Sequence, residues 1–343
     1  MSALIPAIIR AAETWPLPDP VLRAGSHALV WATDLRMRRV SDTYLDTFVE
    51  KMAASPIAVG VDEANDQHYE LPEAFFGLVL GKHRKYSCGL FTSDAAALDD
   101  AETAALAESA RLAGIEDGQT ILDLGCGWGS FTLYLAETFP NAQITAVSNS
   151  ASQGAFIRAE AARRSLGNVS VATANIATFE PSGAVDRIVS IEMFEHLTNW
   201  AAMLQRMHSW LRPDGRVYLH VFSHETAPYA FDHTDPNDWI AQYFFTGGIM
   251  PSHGLIGKLD VPFSIEDEDR WSGTHYSQTA GLWLENFHTQ EADIREVLRP
   301  VYGDDLAVWM KRWRLFFIAT DRLFGYKSGS VWGISHFRLR PDN

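Results

Sequence analysis

The stretch Ile121–Phe131, ILDLGCGWGSF, decides the fold of this chain. It joins an apolar run, typical of a buried strand, to three closely spaced glycines: Gly125, Gly127 and Gly129. Glycine lets a backbone turn sharply and approach a ligand closely, and the helix that follows points free N–H groups at that ligand. Because position 130 is serine, the third glycine comes one residue earlier than in the G-x-G-x-x-G dinucleotide fingerprint. The stretch therefore predicts a nucleoside-binding turn of a different kind.

Outward from this stretch, strands and helices alternate. Five β-rich runs are separated by segments with helical periodicity: 120–125, 143–148, 169–174, 187–192 and 216–222. Such alternation is typical of a parallel sheet with helices on both faces. Together with the glycine-rich turn, the pattern resembles motif I of the S-adenosylmethionine (SAM)-dependent methyltransferases. The resemblance implies a class I, Rossmann-like, doubly wound α/β fold with SAM as the cofactor.

The segments on either side predict additions to this core. Residues before about Arg84 have helical periodicity and no strand alternation. Asp99 and Glu102 are spaced as a capping box for a helix that ends near Gly114. Pro213–Gly215 predicts a turn before the fifth strand.

After the fifth strand the alternation stops in a region rich in Asp, His, Pro and aromatic residues, which we interpret as a lid inserted over the strand ends. Two late strands, 263–272 and 331–340, then flank two predicted helices, near 278–295 and 304–324. The sequence thus predicts an N-terminal helical extension that caps the substrate, a SAM-binding core, the lid and a C-terminal part of the core. Their ranges are 1–94, 95–223, 224–262 and 263–343.

Composition limits the partners. The 343 residues carry a net charge of −15, whereas nucleic acids and anionic bilayers recruit Lys and Arg. We therefore expect a small neutral or cationic substrate, no nucleic acid and no stable membrane association, and we allow for a homodimer. Cys88 and Cys126 are too few for a disulfide framework and are typical of a reducing compartment. The apolar N-terminus, broken by Pro6 and Arg10, is too short for a membrane span and lacks a signal-peptide pattern, so we predict a cytoplasmic protein.

The carboxyl ends of the strands are expected to hold the cofactor, since ligands of open α/β sheets bind there. The second strand ends in Ser148 and Asn149 without the acidic residue that usually holds the ribose. These two residues and Gln153 must supply that contact, unless they only form the turn. An asparagine after the third strand can accept a hydrogen bond from the adenine amine. The expected cofactor residues are Tyr86, Ser87, Asp123, Gly125, Gly127, Asn149, Gln153, Asn175 and Ile176.

The fourth strand runs directly into the string SIEMFEHL, which places Glu192, Glu195 and His196 at offsets 0, 3 and 4. A helical turn would put all three on one face. Two carboxylates and an imidazole this close shift each other's protonation, which holds a base ready near neutral pH. We predict such a proton-accepting site, with no metal. The alternatives are a solvated acidic turn and a divalent metal site that includes His220 or His224.

Five strings carry a more specific resemblance. They are KYSCGLF (85–91), LDLGCGWGSF (122–131), SIEMFEHL (190–197), DWIAQYFFTGGIMPS (238–252) and GTHYSQT (273–279). In this order, and from about residue 78 to the C-terminus, they resemble the cyclopropane fatty acid synthase superfamily. Within it they look most like the coclaurine N-methyltransferase branch.

The resemblance also implies roles for particular residues. In the cyclopropane synthases a bicarbonate ion serves as the base, and the residues that hold it match four positions of this chain: Cys88, Glu195, His220 and Tyr276. The N-methyltransferase branch keeps these four. The synthases, however, have Gly where this chain has Glu192, and they lack its FFTGG string, which favours the N-methyltransferase branch. In that branch the residues that match Glu192, Glu195 and His196 contact the substrate amine and assist its deprotonation.

The predicted function is methyl transfer from SAM to the nitrogen of a small aralkyl or tetrahydroisoquinoline-like amine. Because an alkylammonium ion has no lone pair, a base must first remove a proton. We assign that role to Glu195 and His196, with Glu192 holding the cationic head. Aromatic residues are expected to wrap the organic part: Tyr86, Trp239, Phe244, Phe245 and Trp332. The alternatives are lipid cyclopropanation, S- or C-methylation of a small nucleophile, and a non-catalytic SAM-binding module.

Overall fold

The computed structural model describes residues 4–58, 71–92, 97–235 and 237–342, so the predicted boundary at residue 94 lies outside the described residues. The strands are β1 (Thr120–Leu124), β2 (Gln143–Ser148), β3 (Val169–Thr173), β4 (Val185–Ile191), β5 (Leu211–His224), β6 (Tyr229–Ala230), β7 (Ile249–Met250), β8 (Phe263–Ser272) and β9 (Trp332–Pro341). The helices are α1 (Leu4–Thr14), α2 (Asp19–Met37), α3 (Tyr44–Ala53), α4 (Glu73–Val79), α5 (Leu98–Leu112), α6 (Ser130–Thr138), α7 (Ala151–Arg163), α8 (Trp200–Trp210), α9 (Trp239–Tyr243), α10 (Gly273–Thr289), α11 (Glu291–Tyr302) and α12 (Leu306–Phe324).

Seven of the strands form one sheet in the order β3-β2-β1-β4-β5-β9-β8. Strands β1 to β5 are parallel, whereas β9 runs antiparallel to β5 and β8 runs antiparallel to β9. The predicted doubly wound sheet is therefore confirmed. Because the strand order reverses between β1 and β4, the carboxyl end of β1 is the switch point where such sheets bind ligands.

Both faces of the sheet are buried. Ile121 joins a core cluster that includes Leu106 of α5, whereas the next residue, Leu122, joins a second cluster that includes Met203 and Met207 of α8. Successive side chains of a strand point to opposite faces, so an uninterrupted apolar strand needs a helical layer on each side. The short apolar runs of the sequence predict this arrangement correctly.

The described part of the N-terminal segment contains helices α1 to α4, as predicted, and these helices divide between the two sides of the sheet. Helices α1 and α2 pack against α12. Arg314 donates to Asp19 from its Nε at 2.7 Å, and Lys327 donates to Asp34 at 2.7 Å. Helix α3 instead packs against α8, and Asn199 at the start of α8 donates to the Ser55 carbonyl at 2.8 Å. None of the helices in the described ranges has the length and apolar character that a bilayer crossing needs.

The predicted capping box is wrong. Ala97, not Asp99, precedes the first turn of α5, and no side chain caps that turn. Asp99 accepts a hydrogen bond from the backbone N–H of Lys82 at 2.8 Å, and Glu102 accepts one from Gly81 at 2.9 Å. The two carboxylates therefore hold the loop that leads to the KYSCGLF string. This is a tertiary contact that spacing along one helix cannot reveal.

Two other boundaries differ from the prediction. Pro213–Gly215 lies within β5 as a bulge, since the register passes from Val185 opposite Leu211 to Arg187 opposite Arg216. Three late helices stand where two are predicted, because α10 ends and α11 begins at Gln290. The Gln290 side chain donates to the Leu78 carbonyl at 2.8 Å, so the break coincides with a long-range contact rather than with a local Gly or Pro signal.

Candidate active site

A cavity opens at the carboxyl ends of the parallel strands. Its walls come from the glycine loop after β1, the end of β2, the segment after β4, and residues 245–246 of the predicted lid. Most of the predicted site residues line it: Tyr86, Ser87, Asp123, Gly125, Gly127, Asn149, Gln153, Ile176, Glu192, His196 and Tyr276. The structure thus places the predicted cofactor-binding residues and the predicted proton-accepting residues in one cavity.

The glycine loop needs its glycines for two reasons. Gly125 has φ +73, and a Cβ there would overlap Cγ of Met193. Gly127 has φ +55, and a Cβ there would meet no atom within 4 Å. Since Gly127 lines the cavity, a side chain at this position would project into space that a ligand can use. The loop is therefore shaped for close approach of a ligand to the backbone.

Asp123 at the end of β1 is buried beside this loop. Its Oδ2 accepts a hydrogen bond from the Thr132 hydroxyl at 2.6 Å. Burial raises the pKa of this carboxyl to about 6, which still leaves it mostly ionised at neutral pH. The arrangement suits a cationic ligand group, such as the amino group of an amino acid.

The predicted polar residues after β2 line the cavity, whereas the predicted asparagine after β3 does not. Asn149 and Gln153 line the cavity, and the Ser148 hydroxyl donates to Gln153 Oε1 at 2.7 Å. Asn175 is not among the lining residues, although its neighbour Ile176 is. The Asn175 side chain accepts a hydrogen bond from the Ala177 N–H at 2.9 Å, so it stabilises its own turn. A turn-forming Asn and a ligand-binding Asn look alike in sequence.

The Glu192 carboxylate, which follows β4, contacts three neighbouring polar groups. Its Oε1 accepts from the Cys88 backbone N–H at 2.9 Å and lies 3.2 Å from His220 Nε2, and its Oε2 accepts from the Tyr276 hydroxyl at 2.7 Å. Burial raises the pKa of Glu192, whereas nearby Lys85 and these donors oppose that shift. The backbone of Glu192 has φ +50, a left-handed conformation that costs energy for any residue with a Cβ.

Glu195 lies apart from the cavity. It is fully buried, and its Oε1 accepts a hydrogen bond from the Phe222 N–H at 2.6 Å. Burial, with a smaller contribution from the neighbouring Glu192 carboxylate, raises the pKa of Glu195 well above its usual range. The expectation that one helical turn puts Glu192, Glu195 and His196 on the same face is wrong. Only Phe194–His196 forms a 3-10 turn, and Glu192 precedes it in the left-handed conformation.

His196 lines the cavity and stacks on Phe245, with ring centroids 4.6 Å apart and planes 15° from parallel. Burial lowers the pKa of His196 to about 4, so its imidazole is neutral near pH 7 and can accept a proton or a hydrogen bond. A carboxylate and a neutral imidazole therefore face the same space.

The four positions that the resemblance assigns to bicarbonate binding do not converge on a shared vacancy. Cys88, His220 and Tyr276 all direct a polar group at the Glu192 carboxylate, and Glu195 points away. A carboxylate has the same planar pair of oxygens as bicarbonate. In this chain the Glu192 side chain therefore takes up the donors that would hold such an ion.

Of the five predicted wrapping aromatics, Tyr86 and Phe245 line the cavity. Trp239, Phe244 and Trp332 are buried in the core instead and are absent from the lining. Their places are taken by Phe222 of β5 and Phe316 of α12. Since aromatic residues serve cores and pockets equally well, composition alone cannot separate the two uses.

Sequence reasoning missed Lys85. Its Nζ is buried and donates to the Cys88 carbonyl at 2.8 Å and to the Ser87 hydroxyl at 2.5 Å. Burial lowers the pKa of Lys85, and its charge acts on Glu192. A lysine inside a string that otherwise packs in the core is the signal that could have identified it. Within the described ranges, no group of three or more His, Cys, Asp and Glu side chains is placed to hold a metal ion.

Comparisons with known proteins place this chain in a family. The family model described as mycolic acid cyclopropane synthetase matches residues 61–334. The (S)-coclaurine N-methyltransferase of Thalictrum flavum subsp. glaucum is 35% identical over 285 residues, which cover 82% of this chain and 79% of that protein. Cyclopropane mycolic acid synthase MmaA2 of Mycobacterium tuberculosis is 30% identical over 241 residues, which cover 66% and 82% respectively.

Solved structures agree. The crystal structure of coclaurine N-methyltransferase bound to N-methylheliamine and SAH matches with a TM-score of 0.93 at 30% identity, and the match covers 97% of this chain and 99% of that one. The cyclopropane synthase MmaA2 matches in fold, with a TM-score of 0.68 at 24% identity over 83% of this chain and 99% of that one. The predicted fold class, the SAM cofactor and the methyltransferase activity are confirmed. This chain belongs to the mycolic acid cyclopropane synthetase family, and it is a SAM-dependent methyltransferase that groups with the coclaurine N-methyltransferases.

Proposed function

We propose that this chain transfers the methyl group of SAM to the ring nitrogen of a small tetrahydroisoquinoline-type amine. The observation that carries the proposal is that Glu192 and His196 line the same cavity as the glycine loop. Two of the relatives named above support this class of substrate, because one is an (S)-coclaurine N-methyltransferase and the other is a coclaurine N-methyltransferase bound to N-methylheliamine and SAH. The acidic balance of the chain suits an amine that arrives as a cation.

The cavity residues fit SAM. The open space in front of Gly127 leaves room for a ligand against the backbone, and the Asp123 carboxylate suits the amino group of its amino-acid part. Ser148, Asn149 and Gln153 offer polar groups to the ribose, and Ile176 offers an apolar contact for the adenine ring. When bound, SAM supplies an electrophilic methyl group on a sulfonium.

The residues after β4 remove a proton from the substrate amine so that its nitrogen can act as the nucleophile. A secondary ammonium ion has no lone pair, so one N–H proton must leave before nitrogen can attack the methyl carbon. We assign that proton to the Glu192 carboxylate, which lines the cavity, and not to Glu195, which is absent from the lining and accepts a hydrogen bond from the Phe222 N–H. The neutral His196 imidazole accepts a hydrogen bond from the amine and orients it. Residues 224–262, which contribute Phe245, cover the organic part of the substrate.

The test is product analysis with purified protein, methyl-labelled SAM and a panel of acceptors. The panel contains a tetrahydroisoquinoline, an open-chain aralkylamine, a small thiol and vesicles of unsaturated phospholipid, and products are identified by mass. We expect a singly methylated tetrahydroisoquinoline, a loss of about 10²–10⁴-fold in rate for Glu192→Gln, and SAM affinity within threefold of the unsubstituted protein. Consumption of the olefinic lipid or the thiol while amines are ignored would overturn the proposal.

A homodimer and a cytoplasmic location remain part of this proposal. Light scattering on the purified protein checks the first. The two cysteines are buried and free, which supports a reducing compartment.

A further inference from the structure

The amino-acid part of SAM carries two opposite charges, an ammonium group and a carboxylate. The Asp123 carboxylate suits the ammonium group and repels the other. A carboxylate that leaves water for a cavity needs a cation or hydrogen-bond donors in place of its water molecules. Among the described residues that line the cavity, Arg84 alone carries a permanent positive charge.

Arg84 lies on the cofactor side of the cavity. Its guanidinium lies against Gly77 of α4, since a Cβ at Gly77 would come within 2.7 Å of Nη2. The residue before Gly77, Phe76, packs against Trp128 of the glycine loop and against Tyr86, with ring centroids 5.2 and 5.3 Å apart. The guanidinium is therefore close to the loop after β1, beside which the amino-acid part of SAM is expected.

The guanidinium has donors left for a ligand. Its Nε and Nη2 both donate to a single oxygen, Oε1 of Glu73, at 3.1 Å. Nη1 donates to none of the residues that the structure describes. The side chains of Arg84 and Glu73 are 26% and 37% exposed, and an ion pair this open contributes little to stability. The pair with Glu73 therefore leaves part of the fork available to a second carboxylate.

The backbone of Arg84 is strained. It has φ +55, a left-handed conformation that is unfavourable for any residue with a Cβ. Of the five described non-glycine residues with positive φ, only Arg84 and Glu192 line the cavity. Strain of this kind is concentrated at functional sites, where the surrounding contacts impose it.

Those contacts fix the turn that presents Arg84. The buried Glu102 carboxylate accepts hydrogen bonds from the backbone N–H groups of Gly81 at 2.9 Å and of His83 at 2.8 Å. The Arg84 N–H donates to the Gly81 carbonyl at 3.0 Å and closes the turn. The backbone on one side and Glu73 on the other thus determine where the guanidinium lies.

We propose that Arg84 binds the carboxylate of SAM and makes the site selective for a cofactor that carries one. Arg84 and Asp123 then bind the two opposite charges of the amino-acid part. The planar fork of a guanidinium matches the two oxygens of a carboxylate. Glu73 is a positioning residue, because it holds the guanidinium through Nε and Nη2. Since the carboxylate belongs to the cofactor, this role of Arg84 does not depend on which acceptor the chain methylates.

The test compares the binding of SAM with that of decarboxylated SAM, which keeps the nucleoside, the sulfonium and the amine and lacks only the carboxylate. Titration calorimetry measures the dissociation constant of each ligand for the unsubstituted protein and for Arg84→Gln. We expect the unsubstituted protein to bind SAM at least tenfold more tightly than decarboxylated SAM. Arg84→Gln should bind the two within threefold of each other, and its affinity for decarboxylated SAM should stay within threefold of the unsubstituted protein's.

Lys327→Gln is the matched control. Lys327 is also a cation with a left-handed backbone, at φ +48, and it pairs with the Asp34 carboxylate, but it lies outside the cavity lining. This variant removes the same charge from the protein and should keep the full preference for SAM. Arg84→Gly is a second test variant that guards against a failure to fold, because Gly adopts positive φ without penalty. It should lose the preference as Arg84→Gln does.

An unchanged preference for SAM in Arg84→Gln and Arg84→Gly would overturn the proposal, as would the absence of any preference in the unsubstituted protein. An equal loss of affinity for both ligands would show that Arg84 only supports its loop. A loss of the preference in Lys327→Gln as well would assign the effect to net charge and would equally overturn the role of Arg84. These titrations contain no methyl acceptor, so a failure to methylate amines would overturn the proposed function and leave this result intact.

Discussion

The backbone N–H of Cys88 donates to Oε1 of Glu192 over 2.9 Å and joins segments that lie 104 residues apart. Tyr276 of α10 and His220 of β5 approach the same carboxylate. Three separate parts of the chain therefore fix one side chain whose backbone, at φ +50, is itself unfavourable. Such strain persists only where surrounding contacts determine the conformation, and it is concentrated at functional sites.

Replacing Glu192 by Gly should separate stability from activity. We expect amine turnover to fall about 10²–10⁴-fold, while the free energy of unfolding stays equal or rises by about 1 kcal/mol, because Gly adopts positive φ without penalty. Added formate should restore part of the activity, since the Cys88 N–H and the Tyr276 hydroxyl remain as donors beside the His220 ring to bind a small carboxylate. Initial rates with and without formate, together with urea unfolding, check this.

Glu192→Gln is the matched control, because its amide fills the space and leaves no room for formate. Equal rescue of both variants, or a Gly variant as active as the unsubstituted protein, would contradict the role assigned to Glu192.

Glu195→Gln should have little effect on turnover. Glu195 lies outside the cavity lining, and its carboxyl oxygen accepts a hydrogen bond from the Phe222 N–H, which an amide oxygen can also accept. We expect turnover within about threefold of the unsubstituted protein, far from the effect of Glu192→Gln. A loss as large as that of Glu192→Gln, measured under the same conditions, would restore Glu195 as the base.

Gly127→Ala should weaken SAM binding at least tenfold, measured by titration calorimetry, because its methyl group would project into the cavity. Gly118→Ala is the control. Gly118 also has positive φ, at +85, with nothing within 4 Å of an added Cβ, but it lies in an exposed turn outside the cavity lining. The two variants should lose similar stability, about 1–2 kcal/mol, and only one should lose SAM. Intact SAM binding in Gly127→Ala would contradict the placement of the cofactor.

His224 should make the fold acid-sensitive. Its Nδ1 accepts from the backbone N–H groups of Thr226 and Ala227, and burial lowers its pKa to about 4. Between about pH 6.5 and pH 4 the unfolded chain binds a proton there and the folded chain does not, so stability falls as pH falls through that range. His224→Asn keeps an acceptor without the titration. From pH 7 to pH 5 the unsubstituted protein should lose up to about 2 kcal/mol more in urea unfolding than this variant. Equal losses would remove His224 as the cause.

The sequence allowed prediction of the sheet, the glycine loop and most cavity residues, because those depend on local periodicity and on strand ends. It could not predict contacts that form across the chain. Asn175 and Glu195 carry plausible polar groups, yet one bonds its own turn and the other a neighbouring strand. Trp239 likewise packs in the core instead of lining the cavity. In each case the choice of partner is tertiary, and spacing in sequence carries no information about it.

Because the Glu192 carboxylate is part of the polypeptide, its effective concentration at the site is constant. A site that borrows its base from solution must follow the supply of dissolved carbon dioxide and compete with other anions for the same donors. This chain occupies those donors internally. Its rate of turnover should therefore not depend on the concentration of dissolved carbon dioxide or of small anions around it.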